Sequence, residues 1–377
     1  MISKIIYIHE AFYRKHRDMG VEVFRKKGYE IELWSTVKIK YKDKLEIPTD
    51  NTEDRVMYFR SHLRLVREIF RQDWGHTIAF FTTTPHRGGI EDFVRIMIGS
   101  AGGRYCNFIY EIAPIGECVR NKSKDFKQRL LYFFNQYKLK IYQTLIKNFF
   151  RPIYCFVPTY QATKHLLTDW EKEVVVEVHN KDYDEYLSNN FEEKKENYIL
   201  FIDSDMVNPE DFRKSNTLGI YPDKDIYYGN MKRAFKRLED YYGMPIYIAA
   251  HPKSEYTGEE FGKRKIFYYQ TCKLVQNAEL VLSHASVAFN FIVLYKKPYI
   301  FLVDRYIKRH MVWRYLTLPL IKELRAITYD FGTDMEPWKY INEPNKNLDA
   351  YFKKYIKHTK DNGKLFYEIV EERIRQI

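Results

Sequence analysis

Short apolar runs that end in glycine, proline or small polar residues recur along this chain, and stretches of helical spacing separate them. Residues 4–8 form the first run, 11–27 carry a helical pattern, and the turn glycine Gly28 leads into a second run ending at Trp34. Further runs lie at 77–82, 108–112, 153–157 and 174–178. After the polar, aperiodic stretch 182–197 the alternation restarts, with runs at 198–202, 245–250, 280–282 and 298–303 and helical patterns at 230–242, 268–276 and 286–294. Strands that are regularly separated by helices pair in parallel, because a parallel connection must cross the sheet and a helix is the usual crossover. The expectation is an α/β chain of two Rossmann-like domains with parallel sheets facing a central cleft: residues 1–181, a linker at 182–197, and residues 198–377. Such an architecture suits an activated donor on one side and an acceptor on the other.

The 377 residues fit two domains of ordinary size. With 45% hydrophobic and 30% charged residues, and only 16 Gly and 13 Pro, the composition excludes a fibrous or disordered chain. Four cysteines at irregular spacings, without a CxxC pair, read as reduced thiols. The opening apolar run is too short for a secretory signal, and the longest apolar stretch, 280–303, is interrupted by His284, Asn290, Lys296 and Lys297. A cytoplasmic chain that is not integral to a membrane is expected.

The formal net charge of +12 favours an anionic partner. Nine basic residues fall between Arg120 and Arg151 against one acid, Asp125, and aromatic residues are interleaved with them. A helix lying in the headgroup region of an anionic membrane presents this pattern, and so does a surface helix pair with an apolar core face. Both alternatives stay open in the sequence. No zinc-finger spacing, RNP-like strand or helix-turn-helix accompanies the basic stretch, so nucleic acid is not an expected partner.

Three strand ends carry groups suited to ligand chemistry, the first two to an anion. The run 246–250 delivers His251-Pro252-Lys253, an imidazole and an ammonium at one place. The run 279–282 delivers Ser283-His284-Ala285-Ser286 ahead of a helical pattern; hydroxyls beside a helix N-terminus make an anion site. The run 198–202 delivers Asp203-Ser204-Asp205, two carboxylates that are able to line a ligand site or to ligate a divalent metal.

From HPKSEY through the run ending VLSHASVAFNFIVLYKKPYIFL, roughly residues 245–303, the sequence resembles the donor domain of bacterial GT-B glycosyltransferases of surface-polysaccharide biosynthesis. That group includes Kdo transferases of capsule and lipopolysaccharide, sialyl- and polysialyltransferases and, more distantly, CDP-glycerol glycerophosphotransferases. The resemblance implies an enzyme that transfers a sugar from a nucleotide donor to a surface glycan, with a CMP-linked acidic sugar such as Kdo or a sialic-acid relative preferred and a UDP- or GDP-sugar as the alternative. It implies that His251 and Lys253 face the donor phosphate and leaving group and that Ser283 and Ser286 bind the phosphate; Asp203, by its position at the first strand end of the second domain, is expected to line the donor site. No Glu-seven-Glu pattern of retaining enzymes follows Ser286, which points to inversion; no WHG-type signature is present, which demotes polyol-phosphate transfer.

An inverting transfer needs a general base, which in this fold comes from the first domain. Glu111 and Glu117 are the preferred candidates, with His86 and Asp92 as acceptor-binding residues and His9 and Glu10 as further options. No cofactor or metal beyond the nucleotide-sugar substrate is expected. The acceptor is a lipid-linked or polysaccharide glycan, and the enzyme attaches peripherally to the inner face of the membrane. The helical pattern at 365–374 is expected to return to the first domain. Two other classes are kept: a metal-dependent transferase using Asp203 and Asp205, and a non-catalytic assembly protein on a degenerate GT-B fold.

Overall fold

A computed structural model describes residues 1–9, 20–41, 56–82, 89–110, 112–114, 126–189, 196–207, 223–252, 254–284, 286–309, 313–357 and 363–377. The chain divides into two compact units, one of Met1–Ile112, Arg120–Lys181 and His358–Ile377, the other of Ala113–Val119 and Asp182–Lys357.

The first unit is built on strands β1 (Lys4–His9), β2 (Glu30–Ser35), β3 (Val56–Tyr58), β4 (Thr77–Phe81), β5 (Arg104–Phe108), β6 (Tyr154–Val157) and β7 (Val175–Glu177). They pair in parallel in the order β3-β2-β1-β4-β5-β6-β7. A parallel sheet is covered on both faces, so its central strands are apolar at successive positions. In β1, Ile5 and Tyr7 enter a core with Phe24, Phe80, Phe108 and Phe366. Ile6 and Ile8 enter the opposite one with Trp34, Leu65, Phe81 and Val94.

The strand expected at 108–112 lies earlier, as β5, because its polar Asn107 is completed inside the protein. Asn107 accepts from Arg95 Nε at 3.1 Å and donates to Glu171 Oε1 at 2.7 Å. Arg95 in turn pairs with Asp92 at 2.9 Å, and all four side chains are buried. Asp92, expected to bind an acceptor, is therefore a buried ion-pair partner. Its three-residue spacing to Arg95 within the helix Ile90–Ser100 places the two on one face.

Residues 363–377 fold with the first unit. The helix Phe366–Ile374 inserts Phe366, Val370 and Ile374 into the β1 core. Glu371 is fixed beside them by Lys27 at 3.0 Å, by Tyr29 Oη at 3.2 Å and by Arg375. Burial alone would raise the Glu371 carboxyl; Lys27, Arg375 and Tyr29 outweigh it and hold the group below its ordinary range. Gly20 (φ 68°) lets the chain pass over Tyr367, whose ring a Cβ would meet at 2.2 Å.

The second unit carries β8 (Ile199–Ile202), β9 (Ile246–Ala249), β10 (Ile266–Phe267), β11 (Leu280–Ser283), β12 (Tyr299–Val303) and β13 (Thr328–Asp330). These too are parallel, in the order β10-β9-β8-β11-β12-β13. The helix Lys224–Tyr242 packs Tyr227, Met231, Phe235 and Leu238 against β8, β9 and β11. Asp223 caps its start by accepting from Ile226 N, and Gly243 closes its end in the left-handed conformation.

Part of the expected linker is helical, Lys181–Ser188. Its spacing lacks a clean apolar stripe because its buried side includes Asp182, which accepts from Asn290 Nδ2 at 2.7 Å, next to Tyr183.

Phe366 is fully buried among Phe108, Tyr110 and Tyr367. Phe366→Ala should cost about 3–5 kcal/mol, lowering the urea midpoint of the first unit; a midpoint within error of the parent would show that the returning helix contributes little.

Candidate functional site

In the second sheet the chain runs from β8 outward to β9 and β10, then crosses back to place β11 on the other side of β8. Connections from β8 and into β11 depart in opposite directions, so the C-terminal ends of these two strands form the switch point of the sheet. Open parallel sheets bind ligands at such switch points. Ile202 is in register with Ala249 on one side and Ser283 on the other. The next residue, Asp203, thus sits between the β9 end that leads to His251 and the β11 end that carries Ser283 and His284.

Asp203 is almost fully buried, and both its oxygens accept from the chain. Oδ1 takes the Asp205 N–H at 3.0 Å; Oδ2 takes the Tyr256 hydroxyl at 2.6 Å and the His251 N–H at 3.2 Å. Burial pushes the carboxyl up; the Tyr256 hydroxyl and the backbone donors pull it back only in part. The His251 ring also acts on it electrostatically. Asp203 is thereby a clamp between β8 and the loop after β9. Asp205 follows with φ 45°, so the DSD turn is bent around that clamp.

His251 is half-buried, and its carbonyl accepts from Ser254 N at 3.0 Å and Ser254 Oγ at 2.7 Å, which closes the loop into a turn. On β11, Ser283 is 1% exposed and its hydroxyl has no partner among the described residues. Asp304 follows β12 and its Oδ1 accepts from the Ile307 N–H at 2.6 Å, while its buried Oδ2 also has no partner among the described residues. Burial holds the Asp304 carboxyl above its ordinary range.

His284 is a different kind of residue from its neighbour. Its Nδ1 lies 2.8 Å from the Leu302 carbonyl, so that nitrogen carries the proton, and Nε2 accepts from the Tyr227 hydroxyl at 2.6 Å. Burial pushes the ring down to about 4 against the pull of the Leu302 carbonyl, so it stays neutral. It joins β11, β12 and the helix Lys224–Tyr242 behind Ser283.

Ser286 does not start a helix. The helix begins at Phe289 and has six residues, with Ala288 before it. Ser286 Oγ accepts from Ala288 N at 3.2 Å, a local turn bond, so the expected pairing of a hydroxyl with a long helix dipole is not formed.

In the first sheet the corresponding reversal lies between β1 and β4. There His9 Nδ1 lies 2.6 Å from Thr82 Oγ1. Lys253, Glu111, Glu117, His86 and Glu10 lie outside the described residues. Among the described residues no group of three or more His, Cys, Asp or Glu is placed to hold a metal ion.

Sequence reasoning passed over Asp304 and Tyr256. Asp304 had a signal, since it follows an apolar strand as directly as Asp203 does. Tyr256 had none; it reaches Asp203 from a loop.

No family model matches the sequence, and no curated protein matches it. Solved structures do. The wall teichoic acid polymerase TagF is similar at 13% identity over 99% of this chain and 90% of that one, with a TM-score of 0.54. The UDP-GlcNAc 2-epimerase of Methanocaldococcus jannaschii aligns at 14% identity over 100% of both chains, with a TM-score of 0.47. The fold is GT-B.

A neutral buried histidine contributes stability above its ordinary value of 6.5 and loses it as pH falls toward the folded value of about 4. Between those limits the unfolded chain binds the proton and the folded one does not. His284 should therefore account for roughly 3 kcal/mol of acid destabilisation of the second unit. His284→Gln should flatten the slope of unfolding free energy against pH in that window, whatever its stability at neutral pH; an unchanged slope would remove His284 as the cause.

Proposed function

We propose that the protein is a nucleotide-sugar-dependent glycosyltransferase that inverts the anomeric centre, with the donor phosphate at the C-terminal ends of β8, β9 and β11. The observation that carries this is the Ser283 hydroxyl, buried and without a partner among the described residues at the switch point of a GT-B fold. A buried hydroxyl is costly to leave unbonded, and a phosphate oxygen supplies the acceptor it lacks.

In this account the loop after β9, held by Asp203, presents His251 to the phosphate of the leaving nucleotide, and Lys253 adds positive charge. The acceptor oxygen bonds to the anomeric carbon as the bond from that carbon to the phosphate oxygen breaks, and the nucleotide departs. The acceptor proton goes to a general base of the first unit. Glu111 and Glu117 remain proposed for that role, and His9 joins them. When His9 Nδ1–H donates to Thr82 Oγ1, Nε2 is the basic nitrogen.

A CMP-linked acidic sugar such as Kdo or a sialic-acid relative is the preferred donor, with a UDP- or GDP-sugar as the alternative, and the acceptor is a lipid-linked or polysaccharide surface glycan. A second reading is transfer of a polyol phosphate from a CDP-linked donor, as the more distant resemblance to CDP-glycerol glycerophosphotransferases implies; a wall teichoic acid polymerase shares the fold.

Thermal unfolding with CMP, CDP, UDP, GDP or ADP, each with and without EDTA, tests the proposal, since a ligand of the folded state stabilises by about 2.7 kcal/mol at a hundredfold excess over its Kd. CMP should raise the transition independently of EDTA, and Ser283→Ala should weaken that effect about tenfold in apparent affinity. A shift by CDP alone would support the polyol-phosphate reading, and one by UDP or GDP would change the donor. Loss of the shift in EDTA would point to metal-dependent transfer. No shift with any nucleotide, together with undiminished biological activity of His251→Ala, would replace the enzyme with a non-catalytic assembly protein.

A further inference from the structure

The helix Phe126–Phe149 has five lysine and arginine residues and no acid along its 24 residues. Its C-terminal half is seated: Ile146 is fully buried with Ile96 and Trp170, and Tyr142 and Leu145 pack beside them. Its middle is not. Phe133 is 65% exposed, Phe134 59% and Tyr137 61%, and Ile141 is exposed as well.

At about 100° per residue, these four residues fall within one arc of roughly 100°, and Tyr142 and Ile146 lie on the far side of the helix. The apolar stripe therefore points away from the surface that anchors the helix. Lys138 borders the stripe on one flank, its ammonium 5.2 Å from the Tyr142 ring, and Lys140 and Lys147 border it on the other. Exposed aromatic side chains flanked on both sides by lysines match the boundary between acyl chains and anionic headgroups: the rings enter the apolar layer and the ammonium groups stay at the phosphates.

We propose that this face of the helix Phe126–Phe149 docks on an anionic lipid bilayer, with Phe133, Phe134, Tyr137 and Ile141 inserted and the flanking lysines paired with lipid phosphates. Charge decides for lipid over a second copy of the chain. A second copy brings the same lysines to the same place, whereas an anionic bilayer brings the opposite charge over the whole flank, in keeping with the net charge of +12. No helix among the described residues is long and apolar enough to cross a membrane, so the docked helix lies in the plane of the surface. The inference is independent of the proposed transferase activity.

Flotation of the full chain with phosphatidylcholine vesicles that contain phosphatidylglycerol, against phosphatidylcholine alone, tests it. The protein should float with the anionic vesicles and not with the neutral ones, and added salt should weaken binding. Phe133→Ser with Phe134→Ser should reduce partitioning at least tenfold, and Lys138→Glu with Lys140→Glu should abolish the preference for anionic lipid. Both variants alter exposed side chains and should keep the parent's thermal transition. Failure of the parent to float, or flotation of both variants like the parent, would overturn the proposal. So would a dimer in sedimentation that the double serine variant converts to monomer while neither protein binds vesicles.

Discussion

Each sheet contains one place where the chain reverses the direction in which strands are added, and the polar chemistry of the protein depends on it. β8 is paired with β9 on one side and β11 on the other, so the connections above its end diverge. The ends of β1 and β4 diverge in the same way. Apolar side chains fill both faces of these strands, which leaves the C-terminal edge as the place where polar groups collect. Asp203, His251 and Ser283 gather at one reversal, and His9 and Thr82 meet at the other.

The buried polar groups around these edges differ in how fully they are satisfied. Asp203 takes three donors, His284 is bonded at both ring nitrogens, and Asn107 is bonded to both Arg95 and Glu171. Satisfied groups of this kind fix the geometry of the strand ends and offer nothing to a ligand. Ser283 Oγ and Asp304 Oδ2 contrast with them: each is buried with no partner among the described residues. A polar atom left so costs about 1–3 kcal/mol, which a ligand with the complementary atom returns on binding. The rigid and the unsatisfied groups are therefore two parts of one arrangement, a fixed frame and the groups it presents.

The strands that are apolar throughout were legible in the sequence. β1, β4, β8, β9, β11 and β12 fall where continuous apolar runs predict them, because burial on both faces leaves a signal that does not depend on partners distant in sequence. β5 was displaced because the pairing of Asn107 with Arg95 and Glu171 is invisible along the chain. β13 has three residues and was too short to register. The helix Lys181–Ser188 was hidden for a related reason, since Asp182 is buried against Asn290 from the same unit. Strand-end position correctly brought His251, Ser283 and Asp203 to one edge, but it could not separate a carboxylate occupied by its own chain from an unpartnered hydroxyl. Nor could it place Asp92, whose partner Arg95 turns it inward.

The central claim is that a nucleotide binds at the C-terminal ends of β8, β9 and β11. Photocrosslinking with a photoreactive cytidine nucleotide, followed by mapping of the labelled peptides, tests it most directly. Labels should fall in peptides containing residues 203–207, 251–256 and 283–288, should be competed by unmodified CMP, and should weaken in Ser283→Ala. Specific, competed labelling confined to peptides of the first unit, or labelling that unmodified nucleotide does not displace, would contradict the account.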